Sequence, residues 1–576
     1  MNCGFSARLG KRKTWGMSMP EELEKTANSD RTATGFPAAD GSMRFAWTLT
    51  PSPLTDLVKL VIQPVNVLPV IFVPGIMGSN LKSRKRGTPV WRLDATLGQP
   101  LGLLRKLSTK DAGERQSLLH PDETLVDDDG AVPTSAAGSI AGKSCYKARG
   151  WGEVGETSYG AFLLWLERTL NDPGKRHDRG WMHALRPAFS DLSGPWGAHR
   201  PFAPCLPAEV EKARNWFYPV YACGYNWLGD NALSAQRLKA RIEHVIEIHR
   251  QGLGRCEQVM LVTHSMGGLV ARACAQMDGM AEKIVGIMHG VMPATGAPVA
   301  YRRCKVGMRD EDYGASLVIG RTGQEVTSVF AQAPGALELL PTQKYNSSWL
   351  QVKDPSGNDL LPPQPDPYER IYAVKDRWWA LFKEEWLSPR EGVPIRWKIV
   401  KANIDTAKQF HTSICDRYHS QTYGFYGADS KQKSFEHVVW RMKVGIAPGD
   451  GTAKAALADV MCMPPRQQVR MDGVSPEFVG GQRVTQIVPS AMGASVMQYE
   501  TSHYELHASG QDGGGDGTVP ISSGRAPAAA ANVRQWFALK GFAHEPAYKD
   551  DTARAVTLYA IVKLTAQAKE PHRAGL

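Results

Sequence analysis

The stretch Gln258-Val-Met-Leu-Val-Thr-His-Ser-Met-Gly-Gly268 decides how the rest of the chain is read. Its first half is a short, continuous apolar run, the pattern of a strand buried on both faces of a parallel sheet. Its second half places Ser265 among small residues and hands the chain to a helix-like segment reaching about Met277. A sharp strand-to-helix turn lifts a serine Oγ from strained backbone into a cleft and aims the helix's first N–H groups at developing negative charge. Ser265 is therefore the candidate nucleophile. Thr263 stands where the common form of this motif has glycine, a substitution by another small residue.

Outward from this turn, residues 68–73, 217–222 and 283–288 read as further buried strands, and Leu238, Ile242, Val245, Ile246 and Ile248 recur at near-helical spacing between two of them. Strands alternating with helices predict an α/β fold with a mostly parallel, doubly wound sheet. Two long segments, about 80–210 and 300–500, interrupt the series; they are rich in Trp, Pro, Gly and charge and exceed ordinary loops. The expected organisation is an N-terminal arm over 1–64, partly disordered, and a first core part over 65–299 carrying the 80–210 insertion. A cap or lid follows over 300–500, and the core closes over 501–576.

Composition narrows the function classes. With 42% apolar and 22% charged residues among 576, a buried core is expected. No run approaches the roughly 20 apolar residues of a membrane-spanning helix. The basic N-terminus lacks the apolar block of a secretory signal, which predicts a protein cytoplasmic as made, with any export by a leaderless route. The net charge of +11 is dispersed rather than clustered with stacking aromatics, which argues against nucleic acid and allows contact with an anionic lipid surface. The nine cysteines are scattered, with no C-x-x-C pair, and read as reduced thiols rather than a metal or disulfide framework.

An acyl-transfer site needs two backbone donors for the oxyanion. One is the N–H of Met266, directly after the nucleophile. The loop Pro74-Gly-Ile-Met-Gly78 stands after the 68–73 strand, where Gly75 permits close approach and leaves the N–H of Ile76, or else of Met77, to donate. That loop lacks the glycine and lysine spacing of a nucleotide site. Near the C-terminus, Gly513-Gly-Gly-Asp516-Gly-Thr-Val-Pro520 offers a carboxylate in a tight loop, and His544 follows a strand candidate at 533–539. The order Ser265, Asp516, His544 is serine, acid, histidine. Asp450, in a near-copy of the same Gly-Asp-Gly-Thr, competes with Asp516; His503 and His507 precede the acid, and His289 reads as a packed side chain. The run around Asp512 lacks the alternating oxygens of a calcium loop, so no metal and no cofactor are expected. Between 367 and 387, Ile371, Val374, Trp378, Leu381 and Phe382 recur at near-helical spacing with Lys375, Arg377 and Lys383 among them, and Trp379 widens the apolar face. Such a helix lies at a lipid interface as a lid, or packs on the insertion's own core. The first reading makes Trp378 and Trp379, with Gly75 and Met77, candidate binding residues.

Taken together, Val73-Pro-Gly-Ile-Met-Gly-Ser-Asn-Leu81, Gly224-Tyr-Asn-Trp227, His264-Ser-Met-Gly-Gly268, Leu339-Leu-Pro341 and Gly515-Asp-Gly-Thr-Val-Pro520 resemble the lecithin:cholesterol acyltransferase-like branch of the lipases. Without signal or disulfides, the chain is closer in pattern to bacterial lipases, including effectors delivered by type VI secretion. The resemblance implies an α/β-hydrolase fold with large cap insertions, a Ser265–Asp516–His544 triad, and cleavage of a phospholipid or acylglycerol ester. It also allows acyl transfer to an alcohol on the same triad, and an inhibitor or immunity protein as partner. A catalytically idle lipid- or partner-binding scaffold is the third reading.

Overall fold

The computed structural model describes residues 64–93, 109–133, 143–171, 195–251, 255–309, 320–389, 395–445 and 506–570, with isolated residues between them. Along 31–34, 36–37, 43–44, 58–61, 477–490 and 493–505 it describes the backbone course alone. Most of the 1–64 arm, Asp450, Cys3 and Cys462 lie outside the described residues.

Six strands form one wholly parallel sheet: β1 (Val70–Val73), β2 (Val220–Ala222), β3 (Val259–His264), β4 (Ile284–Gly290), β5 (Thr422–Gly427) and β6 (Val533–Leu539), in the spatial order β6-β5-β4-β3-β1-β2. β3 is central, with Thr263 opposite Val73 on one side and His289 on the other. Every residue of β1, β3 and β4 is buried, because helices cover both faces. Alternation along the strands divides the core into two clusters. Ile71, Val73 and Leu261 face α2 (Asn231–Gln251), α3 (Gly267–Ala275) and α4 (Trp397–Ile414), through Leu238, Leu269 and Ile404 among others. Val70, Phe72, Met260 and Val262 face α1 (Glu156–Asn171) and α5 (Asp551–Gln567), through Phe162, Leu166 and Ile561. The result is three layers, helix on sheet on helix.

Two expectations change. The 300–500 segment is not wholly a cap, because β5 lies inside it and joins β4 to β6. Its sequence, Thr-Tyr-Gly-Phe-Tyr-Gly, lacks an aliphatic run; Gly424 stands where a Cβ would lie 2.2 Å from the Trp536 ring, so the glycine is a packing requirement that the pattern hides. Likewise α1, within the 80–210 insertion expected to fold over the sheet's ligand end, packs instead on one face of the sheet. The rest of 300–500 does build separate structure, including a four-stranded sheet ordered Leu350–Lys353, Val438–Gly445, Gly493–Ala508, Glu477–Ser490.

The amphipathic helix expected over 367–387 does not form. A short helical turn at Tyr368–Tyr372 and another at Glu384–Trp386 flank turns and bends. None of the cysteines among the described residues is in a disulfide, and none of the described helices is long and apolar enough to cross a membrane.

Four core histidines carry a pH signature. Burial pushes His249, His264 and His289 down to about 3 and His411 to about 4, with Arg149, His544 and Arg272 adding to the effect at the first three in turn. The unfolded chain, with ordinary imidazoles, binds protons below about pH 6.5 that the folded chain refuses, so acidification through that window favours unfolding. Each ring contributes up to ~1.4 kcal/mol per pH unit between its two pKa values. The melting temperature should fall steadily from pH 6.5 to pH 4.5; a flat profile over that range would contradict neutral burial of these rings.

Candidate active site

Ser265 follows the last residue of β3 and has φ 51°, the left-handed region that side chains disfavour. Its N–H donates to the Gly290 carbonyl at the end of β4 (2.9 Å), and its own carbonyl accepts from the Gly268 N–H (2.9 Å). The turn closes only because of its glycines. A Cβ on Gly267 would lie 2.4 Å from the carbonyl oxygens of both Val73 and Pro74, and one on Gly268 would lie 2.7 Å from the Met292 sulfur. Helix α3 therefore starts pressed against the end of β1.

The three side chains expected to cooperate are brought together across 279 residues of chain. His544 Nε2 lies 2.8 Å from Ser265 Oγ, and His544 Nδ1 lies 2.8 Å from Asp516 Oδ2. With the carboxylate accepting at Nδ1–H, Nε2 is left to accept the serine O–H. Asp516 is fully buried. Its Oδ1 accepts the N–H groups of Thr518 (3.0 Å) and Val519 (2.7 Å), and its carbonyl accepts the His544 N–H (2.7 Å). The loop can enter because Gly427 ends β5: a Cβ there would lie 2.6 Å from the Asp516 Cβ. Asp450 lies outside the described residues, as does the side chain of His503. His507 sits on a strand opposite Arg441, and His289 is a buried partner of Thr263 Oγ1 (2.9 Å). Asp512 is engaged by His437, with 2.8 Å from Oδ2 to Nδ1.

The loop after β1 is tied down at three points. Tyr225 donates to the Pro74 carbonyl (2.9 Å), the Gly75 N–H donates to Tyr159 Oη (3.2 Å), and Trp91 Nε1–H donates to the Met77 carbonyl (2.7 Å). Gly75 is packed on Ser265 itself, since a Cβ there would lie 3.0 Å from the Ser265 Cβ. Met77 takes φ 63°, closing a turn in which the Gly78 N–H donates to the Gly75 carbonyl (3.0 Å). Among the described residues, the N–H groups of Ile76 and Met266 have no protein acceptor, and neither do those of Met77 and Gly267 beside them. Two such donors beside a serine and a histidine can stabilise a tetrahedral oxyanion.

Trp378 is closed off from solvent, and Trp379 is half-buried. Trp378 is fully buried, edge-on to Trp440 with ring centroids 5.6 Å apart. The Trp379 Nε1–H donates to the Met461 carbonyl (3.0 Å), and the Trp379 carbonyl accepts from Tyr301 (2.7 Å). Their apolar surface meets protein, as does that of Leu381 and Phe382 in the same core cluster. Conversely, sequence reasoning missed His264 and Tyr159. His264 adjoins the serine and could have been flagged by position; Tyr159 lies 105 residues away from it and carried no signal.

A PGAP1-like alpha/beta domain model matches residues 230–308, from the start of α2 through β4 and the helix beyond. A chain of the solved Tle4–Tli4 complex is similar at 29% identity and a TM-score of 0.67, over 87% of this chain and 98% of that one. No curated protein matches this chain.

Adding a methyl group at the elbow tests its packing. Gly267→Ala meets two backbone oxygens that cannot rotate away, and should destabilise the fold by about 1–3 kcal/mol or more in urea unfolding. An unchanged midpoint would mean that α3 and β1 can separate freely.

Proposed function

We propose that this α/β-hydrolase, similar along most of its length to a chain of the Tle4–Tli4 complex, is a serine-dependent carboxylic ester hydrolase acting on lipids. The observation that carries the reading is the continuous relay from Asp516 through His544 to Ser265, at 2.8 Å for both links, ending on a serine in the left-handed region.

In the proposed reaction His544 Nε2 takes the Ser265 proton as Oγ attacks the ester carbonyl. Asp516 keeps the Nδ1 proton in place and stabilises the imidazolium. The N–H groups of Ile76 and Met266 hold the oxyanion, His544 returns its proton to the leaving alcohol, and an acyl-enzyme remains on Ser265. Water, deprotonated by His544, then attacks that carbonyl; the intermediate collapses, releasing the acid and restoring the serine O–H. An alcohol in place of water would make the same triad an acyltransferase.

The lipid nature of the ester follows from the resemblance of the loop motifs to lipases. Likeness to a chain solved within a two-protein complex supports an inhibitor or immunity protein as partner, and with it a role as an antibacterial effector delivered by type VI secretion. Membrane-surface contact is part of this proposal, through an element other than Trp378 and Trp379.

The purified protein should react with a fluorophosphonate probe and hydrolyse a short-chain p-nitrophenyl ester, and Ser265→Ala should lose both while keeping its melting temperature. Asp516→Asn should lower the rate by roughly 10⁴-fold if the protease template transfers. Ester turnover by Ser265→Ala at the wild-type rate would end the proposal, and release of fatty acid from mixed phospholipid vesicles would identify the substrate class.

A further inference from the structure

Behind the triad runs a second hydrogen-bond chain, made of buried groups up to its last member, the half-buried His544. The Gly75 N–H donates to Tyr159 Oη (3.2 Å), Tyr159 Oη lies 3.0 Å from His264 Nδ1, and His264 Nε2 lies 2.9 Å from the main-chain carbonyl of His544. Every proton in this chain has one consistent place. A carbonyl only accepts, so His264 carries its proton on Nε2 and donates it to His544; its bare Nδ1 must then accept the tyrosine proton, and the phenol oxygen is free to accept from Gly75. Burial, which pushes His264 down to about 3, keeps the ring neutral, as this arrangement needs. Tyr159 and His264 are each 3% exposed.

The two ends of the chain are the two parts of the site that must agree. Gly75 is the residue before the proposed donor Ile76, and His544 is the proposed base. The backbone of His544 is held from both sides, its N–H by the Asp516 carbonyl (2.7 Å) and its C=O by His264. Tyr159 comes from α1, which reaches the loop closely enough that a Cβ on Gly78 would lie 2.7 Å from the phenol oxygen. The Tyr159 ring is also fixed against Phe72 of β1, with centroids 4.9 Å apart.

We infer that Tyr159 and His264 are positioning residues that couple the oxyanion loop to the base histidine, so that α1 sets the distance between the two. The inference rests on the ester-hydrolase reading of Ser265, Asp516 and His544. Neither side chain hydrogen-bonds Ser265 Oγ or the His544 imidazole, although the His264 and His544 ring centroids lie 5.2 Å apart. Their contribution is to hold two backbone segments in register, and a displacement of about 1 Å at such a site can cost on the order of 10²-fold in rate. A coupling of this kind acts on the transition state, so it reduces kcat more than it raises KM.

Tyr159→Phe removes only the hydroxyl and leaves the ring in place. It should lower kcat for p-nitrophenyl ester hydrolysis roughly 10- to 100-fold with KM within about threefold. Tyr218→Phe is the control: that hydroxyl, also buried, donates to the Ala213 carbonyl (2.7 Å) and meets Thr565 Oγ1 (3.0 Å) just before β2, at the end of the sheet away from Ser265. It should lower the melting temperature comparably and leave kcat within twofold. His264→Gln should be impaired, and combining it with Tyr159→Phe should add little beyond the worse single variant, because one chain is broken in both. A Tyr159→Phe enzyme with wild-type kcat, a loss matched by Tyr218→Phe, or multiplying losses in the double variant would each overturn the coupling while leaving the hydrolase reading standing. A wild-type protein inert to fluorophosphonate and ester would instead remove the hydrolase reading, and the coupling with it.

Discussion

The structure depends on one strained residue. Ser265 sits at φ 51°, a conformation that costs an L-residue with a side chain roughly 1–3 kcal/mol. It persists because its surroundings over-determine it: the Gly290 carbonyl takes its N–H, Gly267 lets α3 begin in contact with the carbonyls of Val73 and Pro74, and Gly268 lets it pack on Met292. The parallel sheet supplies both restraints. Gly290 ends β4 on one side of β3, and Val73 ends β1 on the other. A strained serine therefore emerges at the edge of a rigid layer, where its oxygen is pre-positioned for its partner.

Most of the residues that mark the resemblance to lipases serve as joints around this point. Ser79 Oγ accepts the Tyr225 N–H (3.0 Å), and Tyr225 in turn donates to Pro74. The Asn80 amide donates to the carbonyls of Gly152 and Val154, tying the segment after the 74–78 loop to the start of α1. Asn226 donates to the carbonyl of Pro121 (2.8 Å). Leu339 accepts the Ala297 N–H (2.9 Å), anchoring the region after β4. Short motifs scattered over more than 400 residues thus converge on loops at one end of the sheet, because those loops must hold backbone donors to within tenths of an ångström.

The histidines illustrate how burial assigns roles that residue type leaves open. His264, His289 and His544 all lie near the elbow. His264 and His289 are closed in by apolar neighbours, so the charged form is expelled and each acts as a neutral hydrogen-bonding wedge. His544 alone meets a carboxylate on one nitrogen and a serine on the other. The carboxylate is unable to wander, since two backbone N–H groups and a buried loop pin it.

Much of this was legible from pattern. The strands ending before Pro74 and Ser265 are runs that no solvated element tolerates, and the order serine, acid, histidine is the one expected of an α/β-hydrolase sheet. Sequence alone thus determined the class of sheet, the turn that carries Ser265 and the three residues to test. Tertiary structure decided what has no period or local spacing. Gly424 is a hole for Trp536, which disguised a core strand as part of a cap. Trp378 faces protein wholly and Trp379 in part, in a segment that breaks into turns instead of continuing as a helix. Tyr159 reaches His264 from a helix 105 residues earlier, and such a contact is set by how layers pack, which neighbouring residues along the chain cannot encode.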